Sequence, residues 1–532
     1  MDSLEIYSKA LDNFKSRNFD AALKLVEELK TLEPTWKKPL LLEAYILREQ
    51  YRLVELFLFA EKFLATLDAT NSPEKIFMSD ALNLLGMTCS RLAMSESAAE
   101  FLLMSAQTSQ NNAEACTEIS NALFAASNSE KFSRADFNKL YAEYKNYLSD
   151  VVPFARRIYN HKKIRVGFLS ADFKWHAVMA WSWDLLSDLD KNFFETYFYS
   201  SVEATDKVTK HFRAAAHAWR DIGNLSDLQA AKLIHDDEID ILFDLSGHTS
   251  GNRLRVAAYR PATVQISGVG YVNSTGLDCF DYFLSDVHCA GDESWFVEKV
   301  IRLPQTHICY NSQLTGIEHA DKPPCTRNGY VTFGSFNNYS KVTDTILAAW
   351  KEILDRVPNS RLLLKHQVFG GEPERNFIGN RLKTFGFDLA RVEMRGFSDK
   401  YALEYNDVDI ALDTFPYTGG VTTCEAFWMG VPVVSLYGNR HGTRFGLSML
   451  TNVGLPELAV DNVDEYISRA VMLANDFELL TLLRRNLRDM MKNSPLMDGK
   501  SYIREMEKVF AQILLDKQKS YIALVDACPP VV

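Results

Sequence analysis

Nowhere in the 532 residues does an apolar run approach the roughly 20 residues that a membrane-spanning helix requires. The opening stretch, MDSLEIYSKALDNF, is acidic and amphipathic and lacks the basic segment and apolar core of a secretory signal. A cytosolic protein is therefore expected. Cysteine is scarce and scattered, at 89, 116, 279, 289, 309, 325, 424 and 528, with no CxxC pair. Neither a zinc ribbon nor a disulfide framework is indicated, and free buried thiols in a reducing compartment are expected. Positive charge is in deficit as well. A net charge of -11 and a pI near 5.6 argue against nucleic acid as the main partner. No Walker loop and no Gly-x-Ser-x-Gly elbow is present. Ligand spacing for a metal is also lacking. Asp407-Val408-Asp409 lies between an amphipathic helix and the strand core IALD and reads as a helix-end pair. Metal-independent chemistry without a cofactor is the expectation.

What remains is an ordinary globular composition, 47% hydrophobic and 24% charged, in a chain too long for one core. Residues 1–155 read as all-α, with apolar residues at three- and four-residue spacing. Two segments fit the 34-residue tetratricopeptide repeat. Ala10, Ala22 and Pro34 mark the first, and Leu85-Gly86 and Ala98 the second. Residues 37–75 fit it poorly, and a plain helical bundle is the alternative.

From Lys163 the period changes to strand-like runs alternating with helices: KIRVGFLS, FETYFYS, IDILFDLSG, ATVQISGVGY, CFDYFLSD and KVIRLP. A polar stretch interrupts them, and the alternation restarts at YVTFGSFNN. This predicts an α/β protein with two facing, doubly wound Rossmann-like domains, over 156–315 and 329–498. A linker at 316–328 joins them, and a helix and tail occupy 499–532. Ligands of such sheets bind beyond the carboxyl ends of the strands.

One such end carries DTFPYTGGVTTCEAFWMGVPVV at 413–434. Gly419 and Gly420 allow close approach of a ligand, and the helix opened by Val421, Thr422 and Thr423 offers free N–H groups to a diphosphate. Glu425 is placed to accept from ribose hydroxyls. Alone, the segment reads equally well as a strand-loop-helix turn with an N-cap.

The whole pattern resembles the nucleotide-binding segment of bacterial members of the O-linked N-acetylglucosamine (O-GlcNAc) transferase family. VGFLSADFKWH (166–176), DLSGHTSGNRLRVAAYRPATVQISGVGYVNSTG (244–276), FGSFNNYSKVTD (333–344) and HGTRFGLSML (441–450) resemble further segments of that family, in the same order. The resemblance implies a GT-B glycosyltransferase architecture behind tetratricopeptide-like helices. It implies His176 and Lys341 as catalytic residues, with His176 also readable as a helix cap. Asn338, Gly419, Gly420, Val421, Thr422, Thr423, Glu425, His248 and Tyr271 would bind the UDP-sugar donor. His248 is nearly as well read as a satisfied structural histidine, and His441 and Arg444 either face the acceptor or pair locally. Departures from the family occur at Lys174-Trp175, where Gly-Asn is frequent, at Ala180, where a second histidine is common, and at Gly420-Val421, where some relatives carry a histidine.

The implied activity is inverting transfer of GlcNAc from UDP-GlcNAc to Ser or Thr of an acceptor protein. Flagellins and surface adhesins are acceptors by analogy. The rivals are another hexose, such as glucose on Asn, and an inactive repeat scaffold.

Overall fold

Small residues decide how the first helices pair. Ala10 on Ser3–Lys15 and Ala22 on Phe19–Leu32 are fully buried. Where Glu74–Arg91 meets Ser95–Thr108, a Cβ on Gly86 would stand 2.5 Å from Leu102 Cγ, so only glycine permits that approach. The computed structural model describes residues 2–68, 74–312 and 314–527, with side chains through 519. In it, the segment that fits the repeat poorly by sequence also folds as a helix pair. Lys37–Glu49 and Leu53–Ala65 pack with Ala44 and Ala60 fully buried. Arg17 and Tyr51 take the same left-handed turn, φ 58° and 61°, at positions separated by the repeat period of 34. The period is kept by the backbone where the signature residues are missing.

Helices Asn112–Ser127 and Arg134–Asn146 complete this layer and dock it onto the first sheet. Asp150 pairs with Arg255 at 2.6 Å, and the Tyr141 hydroxyl donates to the Ser274 carbonyl at 3.0 Å.

The first sheet is seven-stranded and parallel, in the order β3-β2-β1-β4-β5-β6-β7. Its strands are β1 Ile164–Ser170, β2 Phe194–Ser200, β3 Ala218–Asp221, β4 Ile241–Asp244, β5 Val264–Ser267, β6 Tyr282–Asp286 and β7 Lys299–Leu303. The second is six-stranded, β10-β9-β8-β11-β12-β13. It contains β8 Val331–Ser335, β9 Ser360–Lys365, β10 Val392–Arg395, β11 Ile410–Leu412, β12 Val433–Leu436 and β13 Ala459–Val460. The buried strands are continuous apolar runs because helices cover both faces. One helix is shorter than the apolar spacing of its segment. The run VTKHFRAAAHAW leaves the helix at Ala215, and Ala218–Asp221 pairs with β2 instead, Ala218 opposite Tyr197.

The two α/β domains are tied together. The last helix, Gly499–Ala527, leaves the second domain and lies on the first, with Phe510 against Phe194 and Phe243 and Lys517 paired to Asp281 at 2.8 Å. The carbonyls of Leu314, at the end of the first domain, and of Ile317 in the linker accept from Trp428 Nε1 and Arg488. Among the described residues no helix is long and apolar enough to cross a membrane. The described cysteines are free and buried; Cys528 lies outside the described residues.

Candidate active site

The glycine-rich turn after β11 is organised by one buried acid, Asp413. Its Oδ1 accepts from the backbone N–H of Gly419 at 2.6 Å and of Thr414 at 2.9 Å, and from Asn337 Nδ2 at 3.3 Å. Its Oδ2 accepts from Ser435 Oγ at 2.6 Å. Burial raises the Asp413 carboxyl while these donors hold it down. The turn leads through Gly420 into the helix Val421–Trp428, where Thr422 Oγ1 donates to Asn337 Oδ1 at 3.0 Å.

Lys341 ends a short 3-10 turn after β8 and reaches this same turn. Its Nζ donates to the Thr418 carbonyl at 3.1 Å and stands 3.5 Å from the centre of the Tyr417 ring. Burial brings its pKa down to about 8, against the opposing pull of Asp413. The arrangement suits a cation that meets a phosphate group beside a row of backbone N–H groups. Glu425 is buried one turn into the helix, with Oε1 accepting from the Tyr401 hydroxyl at 2.6 Å, and burial pushes its pKa up to about 7.

His176 stands beyond the carboxyl end of β1, as the N-cap of helix Ala177–Ser187. Its Nδ1 accepts from the Val178 N–H at 3.3 Å and lies 3.6 Å from Asp172. Its side chain is 42% exposed, and the neighbouring protein holds the imidazole below its ordinary pKa despite Asp172. The cap fixes the tautomer: with the Nδ1 lone pair engaged, a neutral ring carries its proton on Nε2. The helix that His176 opens carries Trp181, whose indole fills the space beside Gly420, where a Cβ would stand 2.3 Å from Trp181 Cη2. The two domains thus meet across the glycine-rich turn.

Lys341, Gly419, Gly420, Val421, Thr422, Thr423 and Glu425 converge at the carboxyl ends of β8 and β11, and His176 approaches from β1. Asn338 is exposed at the rim and caps the 3-10 turn through Ser340 N–H; its neighbour Asn337 contacts Asp413 and Thr422. His248 and Tyr271 lie elsewhere, against the helical domain. His248 is fully buried, with Ser120 Oγ on Nδ1 at 2.9 Å and the Thr275 carbonyl on Nε2 at 2.8 Å, so neither ring nitrogen is left for a ligand. Tyr271 meets Ser127 at 3.4 Å. Asp407 and Asp409 are spent on the protein, Asp407 on Arg395 and Asp409 on the N–H groups of Cys325 and Thr332. Residues not singled out from sequence include Asp413, Asn337, Tyr401, Tyr417 and Trp181; aromatic identity beside the motifs is the only signal the sequence offers for the last three.

Two facing Rossmann-like sheets, a glycine-rich turn at the carboxyl ends of the second and helices ahead of the first define the GT-B glycosyltransferase architecture. The description Glycosyl transferase family 41 matches residues 144–319 and 325–506, and the chain belongs to that family. It is 36% identical over 383 residues to the SPINDLY protein of Solanum lycopersicum, by name a "Probable UDP-N-acetylglucosamine--peptide N-acetylglucosaminyltransferase". That alignment covers 70% of this chain and 40% of the relative. The similarly named SEC protein of Arabidopsis thaliana is 26% identical over 66% of this chain and 37% of its own length. The chain thus spans about 40% of the length of the plant relatives it matches first. Among solved structures, a mutant of the Thermobaculum terrenum O-GlcNAc transferase superposes with a TM-score of 0.86 over 98% of both chains, at 25% identity.

Proposed function

We propose that the protein transfers a sugar from a nucleoside diphosphate donor to a hydroxyl of an acceptor protein, with UDP-GlcNAc as donor and Ser or Thr as acceptor. The observation that carries this reading is Lys341, held on the Thr418 carbonyl at the start of the glycine-rich turn. The acceptor oxygen forms a bond to the anomeric carbon from the face opposite the diphosphate, its O–H proton passes to solvent water, and the bond from that carbon to the diphosphate breaks, which inverts the centre. The ammonium of Lys341 and the N–H groups of Gly420, Val421 and Thr422 receive the charge that develops on the departing nucleotide. Glu425 accepts from the ribose hydroxyls. His176 offers the Nε2–H to an oxygen at the reacting centre, because its Nδ1 is engaged by the helix cap. The names of the plant relatives and the O-GlcNAc transferase superposition support the donor and acceptor classes.

The Trp181 indole beside Gly420 favours a second reading of the sugar. An apolar wall there suits a donor with an apolar edge, such as the 6-deoxy sugar of GDP-fucose. Incubation with UDP-GlcNAc, UDP-glucose and GDP-fucose, with intact-mass analysis of acceptor peptides, separates the readings. A GlcNAc adduct supports the first; turnover with GDP-fucose alone replaces it with the second. Absence of nucleotide binding by calorimetry overturns both.

A further inference from the structure

Three loops far apart in sequence bring ligand atoms together beside the cleft. Cys289 follows β6, His307 follows β7 and His441 follows β12, so two come from the first sheet and one from the second. All three are buried, and their ligand atoms lie within 4.8 Å of one another. Each histidine is oriented through its other nitrogen. His307 Nδ1 is 2.6 Å from Asp286 Oδ2, whose remaining oxygen takes the N–H groups of His288 and Cys289. His441 Nδ1 is 3.3 Å from the Val272 carbonyl, which can only accept, so Nε2 carries a bare lone pair. That Nε2 is buried and has no partner. The Cys289 thiol does not serve it, since its proton points to the Arg444 carbonyl at 3.4 Å. Phe283, Phe296 and Phe445 surround His441 at ring separations of 5.1, 6.0 and 5.1 Å.

We propose that Cys289, His307 and His441 bind a zinc-class divalent ion that fastens the two α/β domains together. A carboxylate or carbonyl behind each ligating histidine is the usual second shell of such sites. A thiolate with two neutral imidazoles is a ligand set zinc favours, and a contraction of up to about 1.4 Å between ligand atoms reaches its bond lengths. On binding, the Cys289 proton is released, and the thiolate and Asp286 carboxylate balance the ion's two positive charges. One coordination position remains for water. The role is positional. The Gly442 carbonyl, next to His441, accepts from Thr418 N–H at 3.3 Å and Oγ1 at 3.1 Å, and the Thr418 carbonyl holds Lys341. The ion would anchor the segment on which Lys341 rests.

The test is cobalt(II) added to the chelator-washed 532-residue chain. A near-ultraviolet thiolate-to-cobalt band is expected, lost in Cys289→Ser, with added zinc raising the melting temperature of the wild type but not of the variant. Absence of the band in folded wild-type protein overturns the proposal. So does its persistence in Cys289→Ser, or in Cys289→Ala where the serine variant fails to fold.

Discussion

The two sides of the cleft are built differently. On the second domain, Asp413 is fully buried and every donor around it is a fixed part of the protein, so the glycine-rich turn and Lys341 are held before a ligand arrives. On the first domain, His176 is half open, attached by one long cap hydrogen bond and an Asp172 contact at 3.6 Å. A preorganised wall on one side and an adjustable one on the other fit a nucleotide held in one pose and an acceptor that varies. The comparison predicts that equivalent substitutions on the two sides have unequal effects.

The largest effect belongs to Asp413. Asp413→Ala strands the buried N–H groups of Gly419 and Thr414 and should cost about 3–5 kcal/mol, read as a fall in the denaturation midpoint, with nucleotide binding lost. Asp172 on the other wall is also buried, but its carboxylate accepts from no backbone N–H among the described residues, so Asp172→Ala should cost less, about 1 kcal/mol. Equal losses would remove the distinction between the walls. Next is Lys341→Ala, expected to lower single-turnover transfer by about 10²–10³-fold while the protein melts near the wild-type temperature. A loss under about tenfold would mean that the diphosphate is neutralised elsewhere.

A smaller effect separates the roles open to His176. His176→Asn keeps both a cap acceptor and an N–H donor, whereas His176→Ala keeps neither and also forfeits about 1 kcal/mol of capping. If the ring acts as a donor through Nε2, the asparagine variant should transfer sugar about tenfold faster than the alanine variant. Equal rates for the two would instead point to proton abstraction by the imidazole.

Much of this arrangement was legible in the sequence, for physical reasons. The strand-helix alternation fixed both sheets, because buried parallel strands must be continuous apolar runs. Glycines and hydroxyls of 419–423 marked the turn, since few residue types tolerate close approach there. Short edge strands were not legible: Ala218–Asp221 continues a helical pattern and becomes a strand only by pairing with β2. The middle repeat was hidden because its register lies in the backbone at Arg17 and Tyr51 rather than in signature side chains. His248 and Tyr271 sit at strand ends, and only the docking of the helical domain turns them away from the glycine-rich turn. The expectation of no metal spacing was an argument about sequence neighbours, and it was blind to Cys289, His307 and His441, which only the fold assembles.

The smallest predicted effect is a pH dependence on the preorganised wall alone. Burial lifts Glu425 to about 7 from an ordinary 4.5, so in the nucleotide-free protein the folded form holds a proton there that the unfolded chain has released. Stability from this group is therefore lost as pH rises from about 4.5 to 7. Lys341 runs the other way: lowered to about 8 from 10.5, it sheds its proton in the folded state first, so its contribution to stability increases as pH rises from about 8 to 10.5. On the proposed roles, donor affinity has the opposite needs, an ionised Glu425 for the ribose and a protonated Lys341 for the diphosphate. Calorimetric Kd values should be lowest between about 7 and 8 and rise severalfold on either side. Glu425→Gln should flatten the acid limb and leave the basic one. An unchanged acid limb in that variant would place the ribose contact on another residue.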